Sequence, residues 1–238
     1  MEFREALRRG SNELDLTLEP REEALFDTYY ALLIEEEKTA GLTGIKEPVD
    51  VAVKHFLDAL AIRRWVAFKP GERLIDVGSG AGFPGIPLSV TAPGLQVILL
   101  EAVRKKVDFL RKAIALLGLR NAEAVWGRAE EYGRLEGYRE AFDWAVARAV
   151  APLRELLEYA LPFLRRGGVF LAYKGPKGLK EVEASHRAAD VLGGKVEQVQ
   201  EYRLPLTGDE RLLIFIRKTG LTPLAYPRRA GMPRKKPL

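Results

Sequence analysis

The chain has 238 residues, of which 47% are hydrophobic and 30% charged, a composition typical of a globular protein with a substantial core. It contains no cysteine and only two histidines, which excludes disulfides, cysteine-ligated metal centres and cysteine nucleophiles, and we expect no metal. No window approaches the roughly 20 consecutive apolar residues of a membrane helix, and the acidic N-terminal residues are unlike those of a signal peptide. The sequence therefore predicts a cytoplasmic protein that does not contact a membrane.

The net charge of +5 is concentrated at one end of the chain. Residues 217–238 hold seven basic side chains and no acidic one, so the other 216 residues carry 31 basic and 33 acidic groups. A cationic segment on a near-neutral body predicts a polyanionic partner, although a segment that only improves solubility has the same composition. Four prolines among the last sixteen residues predict an extended tail that becomes ordered on that partner.

The first 68 residues are predicted to form a small helical cap. Apolar side chains recur at the spacing of one helix face in residues 20–38 and again in residues 51–66. The Pro70-Gly71 dipeptide is typical of a turn and marks the end of this pattern. We therefore predict a helical cap at residues 1–68, an α/β domain at 69–218 and a basic, proline-rich tail at 219–238.

After residue 69, short apolar runs alternate with longer amphipathic stretches. Uncharged runs such as 97–100 are typical of strands buried on both faces, and alternation of strands with helices requires a parallel sheet. Only residues 203–211 separate the last two predicted strands, too few for a crossover helix, so the last strand is predicted to be antiparallel. The prediction is a doubly wound α/β fold with strands at 73–77, 96–101, 122–126, 144–147, 169–174, 195–202 and 212–217, and helices at 86–90, 104–117, 152–164 and 179–192.

A glycine-rich loop follows the first predicted strand, where residues 74–85 read LIDVGSGAGFPG. Glycines let backbone amides approach a ligand closely, and the start of a helix favours anions, so we expect a nucleotide-like ligand here. Glu101 ends the second predicted strand, 21 residues after Gly80, where a carboxylate can accept hydrogen bonds from both ribose hydroxyls. The alternative is a tight turn beside a solvated glutamate.

Two residues favour S-adenosylmethionine over a dinucleotide as this ligand. Phe83 stands where a dinucleotide-binding loop prefers glycine. Asp76 lies beside the loop, where an acid can pair with the cationic methionine end of S-adenosylmethionine. Asp76 could also serve only to fix the backbone of the loop, and a nicotinamide-dependent oxidoreductase stays as an alternative.

These motifs resemble those of the bacterial small-subunit ribosomal RNA guanine-N7 methyltransferase G family, also called glucose-inhibited division protein B. The resemblance covers the chain from about Leu42 onward, and its most particular motifs are GFPGIPL at 82–88 and YPRRAGMP at 226–233. It implies a Rossmann-like methyltransferase sheet and transfer of a methyl group from S-adenosylmethionine to N7 of one guanine in 16S ribosomal RNA, within the small subunit or its precursor. One departure is that Gly41 stands where family members often have Asn, before Leu42-Thr43.

The resemblance also implies the positions that bind the cofactor. The glycine loop would contact it, Glu101 would hold the ribose, the pair after the third strand would border the adenine, and Arg148 would lie by the methionine end. Together with Asp76, the expected cofactor-binding residues are Asp76, Gly78, Ser79, Gly80, Phe83, Glu101, Ala129, Glu130 and Arg148.

No catalytic acid or base is predicted, because guanine N7 has a free lone pair and loses no proton on methylation. Arg148 and Lys174 end adjacent predicted strands, so both are expected to face the pocket, where they could hold phosphate or guanine O6. Structural ion pairs are the alternative for both. The expected substrate-binding residues are His55, Lys174, Arg228, Arg229, Lys235 and Lys236. A methyltransferase for a small molecule or protein, or a non-catalytic RNA-binding factor, stays as a further alternative.

Overall fold

A computed structural model describes the backbone of residues 1–238 and all side chains except those of residues 38–40. The N-terminal part is helical, with α1 (Phe3–Glu13), α2 (Pro20–Ala40) and α3 (Pro48–Val51). Helix α3 continues through a π-helical turn, the short α4 and a 3-10 turn that ends at Arg64; these segments span Ala52–Leu57, Asp58–Leu60 and Ala61–Arg64. Within the described residues, no helix combines the length and apolar character needed to cross a bilayer.

The rest of the chain forms one seven-stranded sheet in the order β3-β2-β1-β4-β5-β7-β6. Neighbouring strands are parallel except at β7, which is antiparallel to both β5 and β6, as predicted. The elements in chain order are β1 (Arg73–Val77), α5 (Gly85–Thr91), β2 (Gln96–Glu101), α6 (Arg104–Leu117), β3 (Ala122–Trp126), α7 (Ala129–Tyr132), β4 (Phe142–Arg148), α8 (Leu153–Ala160), β5 (Leu164–Lys174), α9 (Gly178–Val191), β6 (Gly194–Arg203), β7 (Glu210–Lys218) and α10 (Met232–Lys235).

The predicted boundary between α8 and β5 was wrong, whereas the other elements predicted after residue 69 begin and end within two residues of the observed ones. The helix predicted at 152–164 ends at Ala160 and is followed by a 3-10 turn, and β5 begins at Leu164 rather than at residue 169. Pro162 lies in that turn, where its missing N–H cannot continue an α-helix. Leu164 then pairs with Phe142 of β4, and an irregularity in the register, which includes the two glycines, separates this pair from the regular pairing that begins at Val169.

The N-terminal helices share a hydrophobic core with one face of the sheet. Phe26 and Tyr29 of α2 and Phe56 of the π-helical turn are buried in the same cluster as Leu99 and Leu171 of the strands. A second cluster on the opposite face joins the sheet to α8 and α9. The N-terminal helical segment therefore packs against the sheet, close to the carboxyl ends of β1 and β4.

The tail does not have the free, extended form that was predicted; it packs against the body of the protein. Two arginines of the body supply several of the hydrogen bonds. The guanidinium of Arg139 donates to the carbonyls of Thr222 (2.6 Å) and Tyr226 (2.9 Å), and Arg134 Nε donates to that of Pro227 (2.8 Å). The irregular backbone of a proline-rich segment leaves its carbonyls unpaired, and side chains from a distant part of the chain satisfy them.

Candidate cofactor site

A cavity of about 830 Å³ opens at the carboxyl ends of β1, β2 and β4. In open α/β sheets this edge is where ligands bind. The cavity is lined by the N-terminal helical segment, the glycine loop, the ends of β1, β2 and β4, the segment from the end of β3 into α7, one face of α8, and the tail. Its lining includes Leu42, His55, Gly78, Ser79, Gly80, Phe83, Glu101, Ala129, Glu130, Arg148, Gly231 and Arg234.

The glycine loop adopts a backbone that ordinary residues disfavour. Gly78, Gly80 and Gly82 all have positive φ, at 73°, 59° and 89°. A Cβ at Gly80 would meet no atom closer than the carbonyl oxygen of Gly78 at 3.9 Å, so the space beside this residue is open. A ligand in the cavity can therefore approach the backbone of the loop without meeting a side chain at Gly80.

Glu101 is held at the end of β2 by two backbone amides. Its Oε2 accepts from the amide of Gly80 at 2.9 Å, and its Oε1 accepts from that of Val103 at 2.8 Å. The residue is 7% exposed and lines the cavity. Since each carboxylate oxygen can accept more than one hydrogen bond, both keep the capacity to receive hydroxyl donors from a ligand.

Asp76 lies beneath the loop and does not line the cavity. It is fully buried; its Oδ2 accepts from the amide of Gly85 at 2.9 Å, and its Oδ1 has no hydrogen-bond partner among the described residues. Burial raises the pKa of this carboxyl to about 7, against the opposing effects of the Gly85 hydrogen bond and of Arg148. The structure thus shows Asp76 fixing the start of α5, and contact with a cofactor stays a prediction.

Arg148 lines the cavity and is bound to the N-terminal helices. Its Nη1 donates to Asp58 Oδ2 at 3.0 Å and to the carbonyl of Lys54 at 2.9 Å. The guanidinium lies over the ring of Phe83, with 5.3 Å between the guanidinium carbon and the ring centroid. The ion pair considered as an alternative is therefore present, in a residue that also forms part of the cavity wall.

The hydrogen bonds of His55 define its tautomer. Arginine can only donate, so the 3.3 Å contact from Arg148 Nη2 makes Nδ1 of His55 an acceptor and leaves the proton on Nε2. Nε2 then donates to Thr43 Oγ1 at 2.6 Å. Burial, followed by the charge of Arg148, lowers the pKa of His55 to about 3. Both ring nitrogens are engaged and the ring is neutral, so His55 does not serve as a proton acceptor.

The run Gly41-Leu42-Thr43 belongs to this site, although residue 41 departs from the family pattern. Leu42 lines the cavity and Thr43 holds the His55 ring. That ring stacks on Phe83, with centroids 4.9 Å apart. The side chains that follow Gly41 therefore connect the helical segment to the glycine loop.

The tail supplies a part of the cavity that sequence reasoning missed. Gly231 and Arg234 line it, and the amide of Gly231 donates to Glu130 Oε1 at 2.9 Å. Glu130 follows β3, in α7, and is 6% exposed. No local pattern links two residues 101 positions apart, so this contact carried no signal in the sequence.

The predicted substrate-binding residues occupy different environments. Lys174 does not line the cavity; its Nζ donates to the carbonyl of Ala151 at 2.7 Å and to Glu181 Oε2 at 2.8 Å. Arg228 is bound to Glu158. The other tail residues of this set, namely Arg229, Lys235 and Lys236, are exposed. The described residues contain no group of three or more His, Asp or Glu side chains that could hold a metal ion.

Solved structures with the same architecture include Rossmann-like methyltransferases. TrmN from Thermus thermophilus superposes with a TM-score of 0.54 and 20% identity, covering 68% of this chain and 48% of that one. TYW2 from M. jannaschii, solved in complex with AdoMet, superposes with a TM-score of 0.51 and 18% identity, covering 63% of this chain and 70% of that one. At these identities the likeness defines the fold, which is that of this class of methyltransferases.

Comparison of sequences defines the family. The family model described as rRNA small subunit methyltransferase G (GidB) matches residues 22–212. The chain is 47% identical to the ribosomal RNA small subunit methyltransferase G of Pelotomaculum thermopropionicum over 98% of both chains. It is 44% identical to the protein of that name from Deinococcus radiodurans, over 99% of this chain and 92% of that one. The chain belongs to the rRNA small subunit methyltransferase G family.

Proposed function

We propose that this protein transfers the methyl group of S-adenosylmethionine to N7 of one guanine in 16S ribosomal RNA, within the small ribosomal subunit or its precursor. The observation that carries the proposal is the pairing of Glu101 with the open glycine loop inside the cavity. The carboxylate is fixed by the Gly80 amide at 2.9 Å and can still accept from two hydroxyls. Family membership adds the ribosomal RNA as the substrate.

The residues around the cavity fit an adenosyl cofactor. Open space beside Gly80 leaves room for a ligand against the loop, and Glu101 provides acceptors suited to a ribose. Ala129 and Glu130 form the wall where the adenine is expected. The phenyl ring of Phe83 and the guanidinium of Arg148 form the wall toward the N-terminal helices, where the methionine end is expected. Asp76 would support the site indirectly, because it accepts the hydrogen bond from the Gly85 amide and so fixes the start of α5.

The chemistry demands positioning more than proton transfer. S-adenosylmethionine supplies, when bound, a methyl group already activated on a sulfonium. Guanine N7 offers a lone pair without a proton to remove, so the protein has to align the two partners and exclude water. The neutral His55, with both nitrogens bound, and Arg148, tied to Asp58 at 3.0 Å, are rigid groups suited to that task. No side chain is assigned the role of general base.

The substrate surface is assigned to the cationic groups around the mouth of the cavity. Arg234 lines the cavity, while Arg229, Lys235 and Lys236 lie exposed on the same segment. Lysine and arginine side chains release counterions from phosphates, which gives affinity without sequence preference. Selection of the guanine is then left to the cavity and to the shape of the folded RNA.

Methylation of ribosomal subunits tests the proposal. Small subunits from a strain that lacks this methylation are incubated with the protein and methyl-labelled S-adenosylmethionine, in parallel with extracted 16S RNA and with its precursor. We expect one labelled guanine, cleaved by borohydride and aniline treatment as N7-methylguanine is. The Gly80→Asp variant, whose carboxylate would enter the open space beside the loop, should fold and give no label. Label on protein alone, or on another base, rejects the proposal.

A further inference from the structure

The tail residue Arg228 is held by an acid on the body of the protein. Glu158 of α8 is fully buried, and the backbone amide of Arg228 donates to its Oε1 at 2.7 Å. The guanidinium adds bonds from Nε to Oε1 at 2.9 Å and from Nη2 to Oε2 at 2.6 Å. Such a two-pronged pair fixes orientation as well as distance, and losing one partner leaves a buried charge unpaired.

The same guanidinium also shapes the backbone that follows it. Arg228 Nη2 donates to the carbonyl of Lys236 at 2.8 Å, which closes residues 228–236 into a loop. Gly231 and Arg234, the two tail residues that line the cavity, lie inside this loop. Within it, Gly231 has a φ of 79° and turns its amide toward Glu130. The Arg228–Glu158 pair therefore holds the part of the tail that forms the cavity wall.

We infer that the tail is a structural wall of the cofactor site and that Arg228, acting through Glu158, is a positioning residue for cofactor binding. Arg228 then differs in role from its neighbour Arg229, whose exposed side chain is available to RNA. The inference rests on the proposed function, because it takes the cavity to be the cofactor site. It extends that function by making one basic segment serve both ligands, with different residues for each.

The test compares Arg228→Ala with Arg229→Ala, which removes the same charge from the adjacent position. Calorimetric titration of the full-length protein with S-adenosylhomocysteine, without RNA, should show affinity at least about tenfold weaker for Arg228→Ala and unchanged for Arg229→Ala. In steady-state methylation of small subunits, Arg228→Ala should raise the KM for S-adenosylmethionine, whereas Arg229→Ala should raise the KM for the subunit. If Arg228 only stabilised the fold, its substitution would not raise the KM for S-adenosylmethionine selectively over the KM for the subunit.

A second variant covers the case in which Arg228→Ala does not fold. Arg228→Lys keeps the charge, but a single ammonium group cannot reproduce the two-pronged contact, so a three- to fivefold loss of S-adenosylhomocysteine affinity is expected. If the unchanged protein does not bind S-adenosylhomocysteine, the proposed function fails. If it binds and every folded Arg228 variant binds within twofold of it, the proposed function stands and the inference about Arg228 is overturned.

Discussion

Glu101 joins the glycine loop to the expected position of the ribose. Replacing it with Ala removes the carboxylate that accepts hydrogen bonds from the Gly80 and Val103 amides. The same change removes the two oxygens that can accept hydroxyl donors from a ligand. We expect Glu101→Ala to weaken S-adenosylhomocysteine binding by about 1.5–3 kcal/mol, the value of charge-assisted hydrogen bonds. Glu123→Ala, at an exposed position on the adjacent strand, is the matched control. Unchanged affinity of the Glu101 variant in calorimetry would contradict the assignment.

Asp76 makes the stability of the protein depend on pH. Burial raises its pKa from the ordinary 3.8 to about 7, so the folded protein holds this proton more tightly than the unfolded chain does. The resulting stabilisation is complete below pH 3.8 and is lost as the pH rises to about 7. Asp76→Asn should remove this dependence, which is worth on the order of 4 kcal/mol over the interval.

Urea unfolding at several pH values between about 3 and 8 measures the effect of Asp76, since this range spans its two pKa values. The difference in unfolding free energy between the variant and the unchanged protein should grow with pH up to about 7 and then level off. The amide of Asn can still accept from Gly85 and places its NH₂ group where Oδ1 has no partner, so the fold should persist. Parallel curves for the two proteins would show that the Asp76 carboxyl is not perturbed.

Helix α2 is attached to the glycine loop through one hydroxyl. Tyr29 is fully buried and donates a hydrogen bond to the carbonyl of Ala81. Tyr29→Phe leaves that carbonyl unsatisfied, and we expect a loss of about 1–2 kcal/mol in unfolding free energy together with weaker S-adenosylhomocysteine binding. Tyr30→Phe, the adjacent half-buried tyrosine of the same helix, is the control. Equal effects of the two substitutions on ligand affinity would argue against coupling of α2 to the loop.

Elements with uninterrupted local patterns were predicted most closely. Strands β1, β2 and β3 and helix α6 have the bounds that were expected, because each is an unbroken run bordered by turn residues. The first half of β5 was missed, since Gly167 and Gly168 resemble a turn in the sequence, and the pairing of Leu164 with Phe142 beyond them follows an irregularity in the register that no local pattern reveals. Sequence patterns locate elements but do not show pairing between them.

The residues of the candidate site were predictable where they belong to a local pattern, and not where they depend on contacts between distant parts of the chain. Glu101 and the glycine loop could be placed because each lies at the end of a strand whose direction the alternation of elements determines. The burial of Asp76, the acids that bind Lys174 and Arg228, and the position of the tail depend on which distant residues meet in the folded chain. Composition indicated only that the tail is cationic, and the structure shows that its cations have different partners.

The distribution of charge over the whole molecule predicts how RNA binding responds to salt. Changing Arg229, Lys235 and Lys236 together to Gln should weaken binding to small subunits at low salt. It should also reduce the slope of log affinity against log salt by about 0.7–0.9 for each phosphate that the variant no longer neutralises. Measurements between about 50 and 200 mM salt are suitable, since RNA affinity changes steeply in this range.

The control for this triple variant removes three exposed cations from the opposite edge of the sheet. Arg120, Arg166 and Lys195 are exposed and lie near the starts of β3, β5 and β6, away from the cavity. Their change to Gln alters the net charge equally, so a smaller effect on the salt slope would locate the RNA at the cavity edge. An equal effect would mean that net charge alone governs the affinity.

The hydrogen bond between Gly231 and Glu130 joins two residues that lie 101 positions apart along the chain. Pairings so remote along the chain form late, because the entropy of loop closure opposes them until most of the tertiary structure exists. A refolding intermediate with an intact sheet would still lack the part of the cavity wall that the tail supplies. Capture of a fluorescent S-adenosylhomocysteine derivative during refolding should therefore lag behind the recovery of circular dichroism, and so report the fully assembled molecule.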